Sequence, residues 1–321
     1  TGTASFSTID DAIYEGDEGA TVAISSVSGG FVKGNRHSVA MTITEDESGP
    51  KVALSASSSS ISESSNSTIT LSATLSQIAD EDVTVSFSTS GTATEGIDYT
   101  AISNVTIAAG SYTGVTTFTS IDNAVYEADK VATVAIALVS GANATENGSQ
   151  SINITVSEYE SSPTVSLAAS SSSTSESSSS PITLTATLSQ IAEEAVVVSV
   201  STSGTATSGT DYGAISNITI AAGSATGTAS FSTIDDVLYE GDEVATVAIS
   251  TVSGGGATKS GSQSVGITIT ENETAPTVFL SASASTVYDN AASLTITATA
   301  SQISDESIMI TFSTSGTATE G

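Results

Sequence analysis

The sequence predicts an all-β protein: tandem immunoglobulin-like antiparallel β-sandwiches of about seven strands each, arranged end to end as a rod. Three observations predict it. An acidic phrase returns three times at nearly constant spacing. Between its copies, short runs alternate polar and apolar residues with period two, so each strand buries one face and wets the other. Ser, Thr, Ala, Val and Gly dominate, which favours strands and turns.

The phrase reads Ile9-Asp10-Asp11-Ala12-Ile13-Tyr14-Glu15-Gly16-Asp17-Glu18. It returns 112 residues later as Ile121-Asp122-Asn123-Ala124-Val125-Tyr126-Glu127-Ala128-Asp129-Lys130, and 113 after that as Ile234-Asp235-Asp236-Val237-Leu238-Tyr239-Glu240-Gly241-Asp242-Glu243. A fixed long period marks an array of one domain. Pro50, Pro163 and Pro276 keep the register, as do the Gly-Thr-Ala-Thr phrases at Gly91, Gly204 and Gly316. The array then divides into residues 1–49, the C-terminal part of a repeat; 50–162 and 163–275, complete repeats; and 276–321, the N-terminal part of another.

In the repeat 50–162, Val52–Ser55 opens a first strand. Thr68–Leu75, Val83–Phe87, Val105–Ile107, Val115–Phe118, Thr133–Leu138 and Ile152–Val156 follow, separated by Gly-, Ser- and Asn-rich breaks. Seven short strands in about 110 residues is the immunoglobulin-like pattern. No segment shows a 3.6-residue apolar period. The joints Glu45–Pro50, Glu158–Pro163 and Glu271–Pro276 are short and end in Pro, unlike flexible linkers. Each sandwich spans on the order of 40 Å, from strands of about 8 residues at about 3.3 Å each plus end loops.

Thirty-five acids face five bases, Lys33, Arg36, Lys51, Lys130 and Lys259, for a net charge of −30. Such a chain repels nucleic acid and anionic membranes and attracts divalent cations. No apolar run approaches the about 18 residues of a membrane span. There is no Cys, hence no disulfide staple. His37 is the only His, and no nucleophile has a base partner, so no enzyme is read here. Asn66, Asn104, Asn143, Asn153, Asn217 and Asn272 begin Asn-X-Ser/Thr triplets, which a Ser/Thr-rich chain yields readily.

At Gly204-Thr205-Ala206-Thr207-Ser208-Gly209-Thr210-Asp211-Tyr212, Ile234-Asp235-Asp236 and Tyr239-Glu240-Gly241-Asp242-Glu243 the chain resembles the Calx-beta domain. That family is known from the cytosolic calcium-sensing region of sodium–calcium exchangers and from tandem repeats of large extracellular and bacterial surface proteins. The resemblance implies a seven-stranded sandwich with Ca2+ held by loops at one end. It implies Glu176, Asp235, Asp236, Glu240, Glu243, Glu271 and Glu273 as ligands in the third copy. The second-copy set is Glu63, Asp122, Glu127, Glu158 and Glu160. The opening part supplies Asp10, Asp11, Glu15, Glu18, Glu45, Asp46 and Glu47; in the closing part Asp289 stands where Glu63 and Glu176 stand. Two departures weaken sites. Ser90, Ser203 and Ser315 stand where calcium-binding members can carry an acid, and the second copy has Asn123, Ala128 and Lys130 for Asp11, Gly16 and Glu18. The residues alone leave a solvated acidic rim open as the alternative.

The expected function is a non-enzymatic structural or adhesive segment of a long extracellular, bacterial surface protein or filament, rigidified by Ca2+ at its domain ends. The alternative is a Ca2+-sensing regulatory module of a membrane transporter or signalling protein. The partners implied are neighbouring repeats of the same protein and an adhesion target. The chain opens and closes inside repeats; the expectations are a window on a longer array, or chains that complete each other's domains head to tail by strand donation.

Overall fold

A computed structural model describes residues 1–321 except 65–66, 289, 291–292 and 318–321. All regular elements among the described residues are strands. Asp289 and Asn66 lie outside the described residues. The chain forms two compact units, Thr1–Ala124 with Ala128–Tyr159, and Val125–Glu127 with Glu160–Gly321.

The first unit opens with the antiparallel pair β1 (Glu18–Ala23) and β2 (Ser38–Ile43). A sandwich follows, built from β3 (Lys51–Ala56), β4 (Ser60–Ser62), β5 (Thr68–Leu75), β6 (Val83–Gly91), β7 (Val105–Ile107), β8 (Thr113–Thr119), β9 (Lys130–Ser140), β10 (Thr145–Glu146) and β11 (Ser151–Ser157). One sheet runs β10-β3-β5-β8 and the other β4-β11-β9-β6-β7. All seven runs read from the sequence are strands. The two additional strands, β4 and β10, are two or three residues long and pair in parallel with β11 and β3. They are too short for a period-two signal. They sit on the edges, where short strands blunt pairing with other chains.

The second unit repeats the plan. β12 (Thr164–Ala169), β13 (Ser173–Ser175), β14 (Ile182–Leu188), β15 (Val196–Gly204), β16 (Ile218–Ile220), β17 (Thr226–Phe231), β18 (Glu243–Ser253), β19 (Thr258–Lys259) and β20 (Ser264–Thr270) form sheets β17-β14-β12-β19 and β13-β20-β18-β15-β16. The antiparallel pair β21 (Val278–Ala282) and β22 (Ile296–Ala300) closes the unit.

Alternate positions of β5 and β14 are buried, and Val52, Ala73, Val85 and Ile107 line one core as Val165, Ala186, Val198 and Ile220 line the other. Tyr99 stacks on Phe118 at 4.7 Å between ring centres, and Tyr212 on Phe231 at 4.9 Å. Fully burying such a side chain contributes about 1.5–3 kcal/mol. Tyr99 and Tyr212 directly follow the buried acids Asp98 and Asp211 in the chain. Val22 of β1 is 54% exposed, whereas Val134, its counterpart in β9, is sealed; one sheet of a sandwich does not bury its own face.

Candidate metal centre

In the repeat 163–275, the fold brings acids from four stretches to one end. Glu176 follows β13, and the parallel pairing of β13 with β20 places it beside the strand end that leads to Glu271. Asp211 sits in the loop after β15. Its Oδ2 accepts the Thr207 N–H at 2.5 Å, and its own N–H donates to Thr207 O at 3.0 Å, closing a tight turn. Gly204 starts that turn with φ +127°; a Cβ there would lie 2.0 Å from Val244 O. Only glycine passes so close to the neighbouring strand.

Glu271 organises the loops. Its Oε2 accepts the N–H groups of Glu240 (2.6 Å) and Gly241 (2.9 Å), and its Oε1 those of Asn272 (2.8 Å) and Glu273 (2.9 Å). Asp242 Oδ1 in turn accepts the Glu271 N–H at 3.0 Å. Burial opposes ionisation of Glu271, yet these N–H bonds hold its carboxyl down to about 2. The opening repeat copies the device: Glu45 accepts the N–H groups of Glu15, Gly16, Asp46 and Glu47, with Asp17 accepting its own.

Around this anchor the other carboxylates crowd. Oxygens of Asp211, Glu240 and Glu243 lie within 4.8 Å of one another, as do those of Glu176, Asp236 and Glu240, and those of Glu176, Glu271 and Glu273. Glu240 and Glu176 therefore link three adjoining triads. Like charges near 4 Å repel by roughly 1–4 kcal/mol per pair, depending on the local dielectric. Protons respond first. Burial, then the hydrogen bond and charge of Asp211, push Glu243 up to about 7. Its hydrogen bond with Glu271, then burial, push Glu273 up to about 7. Burial, followed by neighbouring charges, raises Glu240, and burial also raises Glu176. Glu273 Oε2 is buried with no hydrogen-bond partner. An all-oxygen set with an orphaned carboxylate oxygen suits a hard cation that takes six to eight oxygens.

The repeat 50–162 resolves the same crowding with its own side chains. Lys130 occupies the position of Glu243, and its Nζ lies 3.2 Å from Asp98 Oδ1, the counterpart of Asp211. Asn123 occupies the position of Asp236, and its Nδ2 donates to Glu63 Oε1 at 2.8 Å. A cation and an amide thus stand where the next repeat has two carboxylates.

The remaining residues named from sequence fall as follows. In the opening repeat Asp10, Asp46 and Glu47 come within 4.8 Å of one another. Asp10, Asp11, Glu15, Glu18, Glu45, Asp46 and Glu47 all line one concave site. Glu47 is pushed up to about 7 by its hydrogen bond with Glu45, which falls to about 2. In the first unit Glu63 is buried, Glu158 accepts the Tyr159 N–H at 2.8 Å, and Asp122 is exposed. Glu127 and Glu160 fall in the second unit, Glu127 buried. Asp235 is exposed and accepts from Asn272 Nδ2 at 3.2 Å. Sequence reasoning missed Asp98 and Asp211. Ser90 and Ser203 stand before the Gly-Thr-Ala phrase, and the turn after it supplies an acid instead. Their recurrence 113 residues apart, each before a buried Tyr, was the available signal.

Among solved structures, CBD12 from CALX1.2 is 14% identical, with 68% of this chain and 99% of that one covered and a TM-score of 0.31. The D0-D1 domain of Intimin is 13% identical over 68% and 98% (TM-score 0.24), and the Yersinia pseudotuberculosis adhesin InvE 10% over 70% and 59% (TM-score 0.31). No curated protein matches in sequence. The Calx-beta domain model matches residues 45–158 and 158–273, more than half of the sequence, and the chain belongs to the Calx-beta family.

Proposed function

We propose that the chain is a structural segment of a surface protein whose repeats are hardened by Ca2+ at their acidic ends. The observation that carries this is the cluster of Asp211, Glu240 and Glu243, mutually within 4.8 Å. Glu176, Asp236 and Glu273 extend the oxygen set around it. Ca2+ would replace the protons that crowding draws onto Glu243 and Glu273, supplying a charge these loops lack. The carboxylates orient the ion, and the backbone N–H groups on Glu271 keep the loops in place. Extracellular calcium modules bind at about 10⁻⁴–10⁻³ M. At 100 times its dissociation constant, each ion adds roughly 2.7 kcal/mol of folded-state stability.

The stiffening role follows from position. Glu271 and Glu273 stand on the short joint that ends at Pro276, so an ion there ties the joint to the loop at Asp236–Glu243. An extracellular, bacterial surface location fits the Cys-free, strongly acidic composition. The proposal is tested by melting the chain in excess EDTA and in millimolar Ca2+. The expected result is a higher melting temperature with Ca2+ and slower proteolysis between 271 and 276. A sensor would instead bind submicromolar Ca2+ and change shape in small-angle scattering.

A further inference from the structure

We infer that the tyrosine of each acidic phrase is the plug of a docking joint, and that its socket is one short turn of the following repeat. A hydrogen-bond pattern recurs at Tyr14, Tyr126 and Tyr239 and involves no carboxylate oxygen.

In the first unit, the Tyr14 N–H donates to Ile78 O at 2.9 Å, and the Asp80 N–H donates to Tyr14 O at 3.1 Å. Tyr14 thereby forms a one-residue parallel bridge with Ala79. Its half-buried side chain packs on the core of the 50–162 sandwich, which includes Ala79, Ala142 and Ala144. In the second unit, Tyr126 makes the same bridge with Ala192: its N–H donates to Ile191 O at 2.8 Å and its O accepts from Glu193 at 3.0 Å. A Cβ on Gly256 would lie 2.5 Å from Tyr126 Cε1, so the ring fills that space. Tyr239 bridges Ser304, with its N–H 3.4 Å from Ile303 O and its O accepting Ser304 Oγ at 2.9 Å.

The sockets share a sequence: Gln77-Ile78-Ala79-Asp80, Gln190-Ile191-Ala192-Glu193 and Gln302-Ile303-Ser304-Asp305. The small third residue leaves room for the tyrosine; Ala79 and Ala192 are each 1% exposed. The glutamine grips the joint itself, since Gln77 Nε2 donates to Ser48 O at 2.7 Å and Gln302 Nε2 donates to Thr274 O. Within each unit, plug and glutamine together fix the register at one joint, Tyr14 with Gln77 in the first and Tyr239 with Gln302 in the second. The partner that fits is a repeat carrying Gln-Ile-small-acid at this turn. The clasp needs no cation and does not rest on the metal reading.

The test uses the full chain in EDTA with a glutamyl endopeptidase, because each joint carries Glu. The triple variant Tyr14→Ala, Tyr126→Ala, Tyr239→Ala is expected to be cut several-fold faster at residues 45–47 and 271–273, with the melting of the 50–162 and 163–275 sandwiches retained. The triple Tyr→Phe variant should be cut close to the parent, since a phenyl ring still fills the socket and the main-chain bridge is unchanged. Equal cutting of the Ala variant and the parent overturns the inference. Hydrogen exchange on the unaltered chain decides it without variants: slowed amides at Tyr14, Tyr126 and Tyr239 in EDTA support the clasp, and exchange at open-loop rates refutes it.

Discussion

Lys130 Nζ lies 3.2 Å from Asp98 Oδ1, at positions that Glu243 and Asp211 occupy one repeat later. The same backbone therefore holds an ion pair in one repeat and two facing carboxylates in the next. The Lys130 side chain is 14% exposed and that of Asp98 2%. A charge that deeply placed requires a partner. In the repeat 50–162 the partner is a side chain of the repeat itself, the Lys130 ammonium; in 163–275 it must come from a proton or a metal ion.

Lys130→Ala is expected to destabilise the 50–162 sandwich by about 3–5 kcal/mol, because it leaves the Asp98 charge buried and unpaired. Lys130→Glu should do the same in EDTA but recover in Ca2+, since it recreates the Asp211–Glu243 pair. Thermal melting of both variants with and without Ca2+ checks this. Recovery of the Glu variant and not of the Ala variant is the predicted outcome.

Asp211→Asn is expected to move stability in opposite directions in the two conditions. Without metal it relieves repulsion with Glu243 and Glu240, as Asn123 does beside Glu63, so melting rises. With metal it removes a charged ligand and weakens Ca2+ binding roughly tenfold, about 1.4 kcal/mol. Calorimetric titration of the variant reads the affinity; a variant with parental affinity would show that Asp211 is not a ligand.

The metal-free chain should have a stability maximum in acid. Glu243 and Glu273 rise from 4.5 to about 7 in the folded state, so the stability they contribute is present below pH 4.5 and is lost as pH rises through about 7. Glu271 falls to about 2, so its contribution is present above pH 4.5 and is lost as pH falls toward 2. Melting in EDTA is therefore expected to peak near pH 4–5 and decline toward pH 7. Saturating Ca2+ should abolish the decline on the alkaline side and release protons on binding near pH 6.

Gly204→Ala is expected to cost more than about 1 kcal/mol, because φ of +127° disfavours any Cβ and Val244 O stands 2.0 Å from where one would be. Gly91→Ala should behave alike, with φ of +113° and Val131 O at 2.1 Å. Denaturant melts of each variant measure the loss.

The strands were legible because each buries one face: the run Thr68–Leu75 is β5 to the residue. The guard strands β4 and β10 were not, because two or three residues carry no periodicity and their pairing is set by the neighbouring edge. The acidic ends were legible as charge at fixed spacing. The separate tasks of their acids were not. Glu271 and Glu45 read as ligands, yet each carboxylate receives four backbone N–H groups and acts first as a loop anchor. Asp98 and Asp211 were hidden because their approach to Lys130 and Glu243 depends on a turn closed by backbone bonds, which sequence spacing does not display.

The most direct measurement is calorimetric titration of CaCl2 into the EDTA-stripped chain at pH 6, in two buffers of different ionisation enthalpy, with melting followed in parallel. The expected result is binding near 10⁻⁴–10⁻³ M, release of protons from the Glu243 and Glu273 carboxyls, and a rise in melting temperature. No binding, no proton release and identical melting in Ca2+ and EDTA would contradict it and leave the acids as a solvated rim.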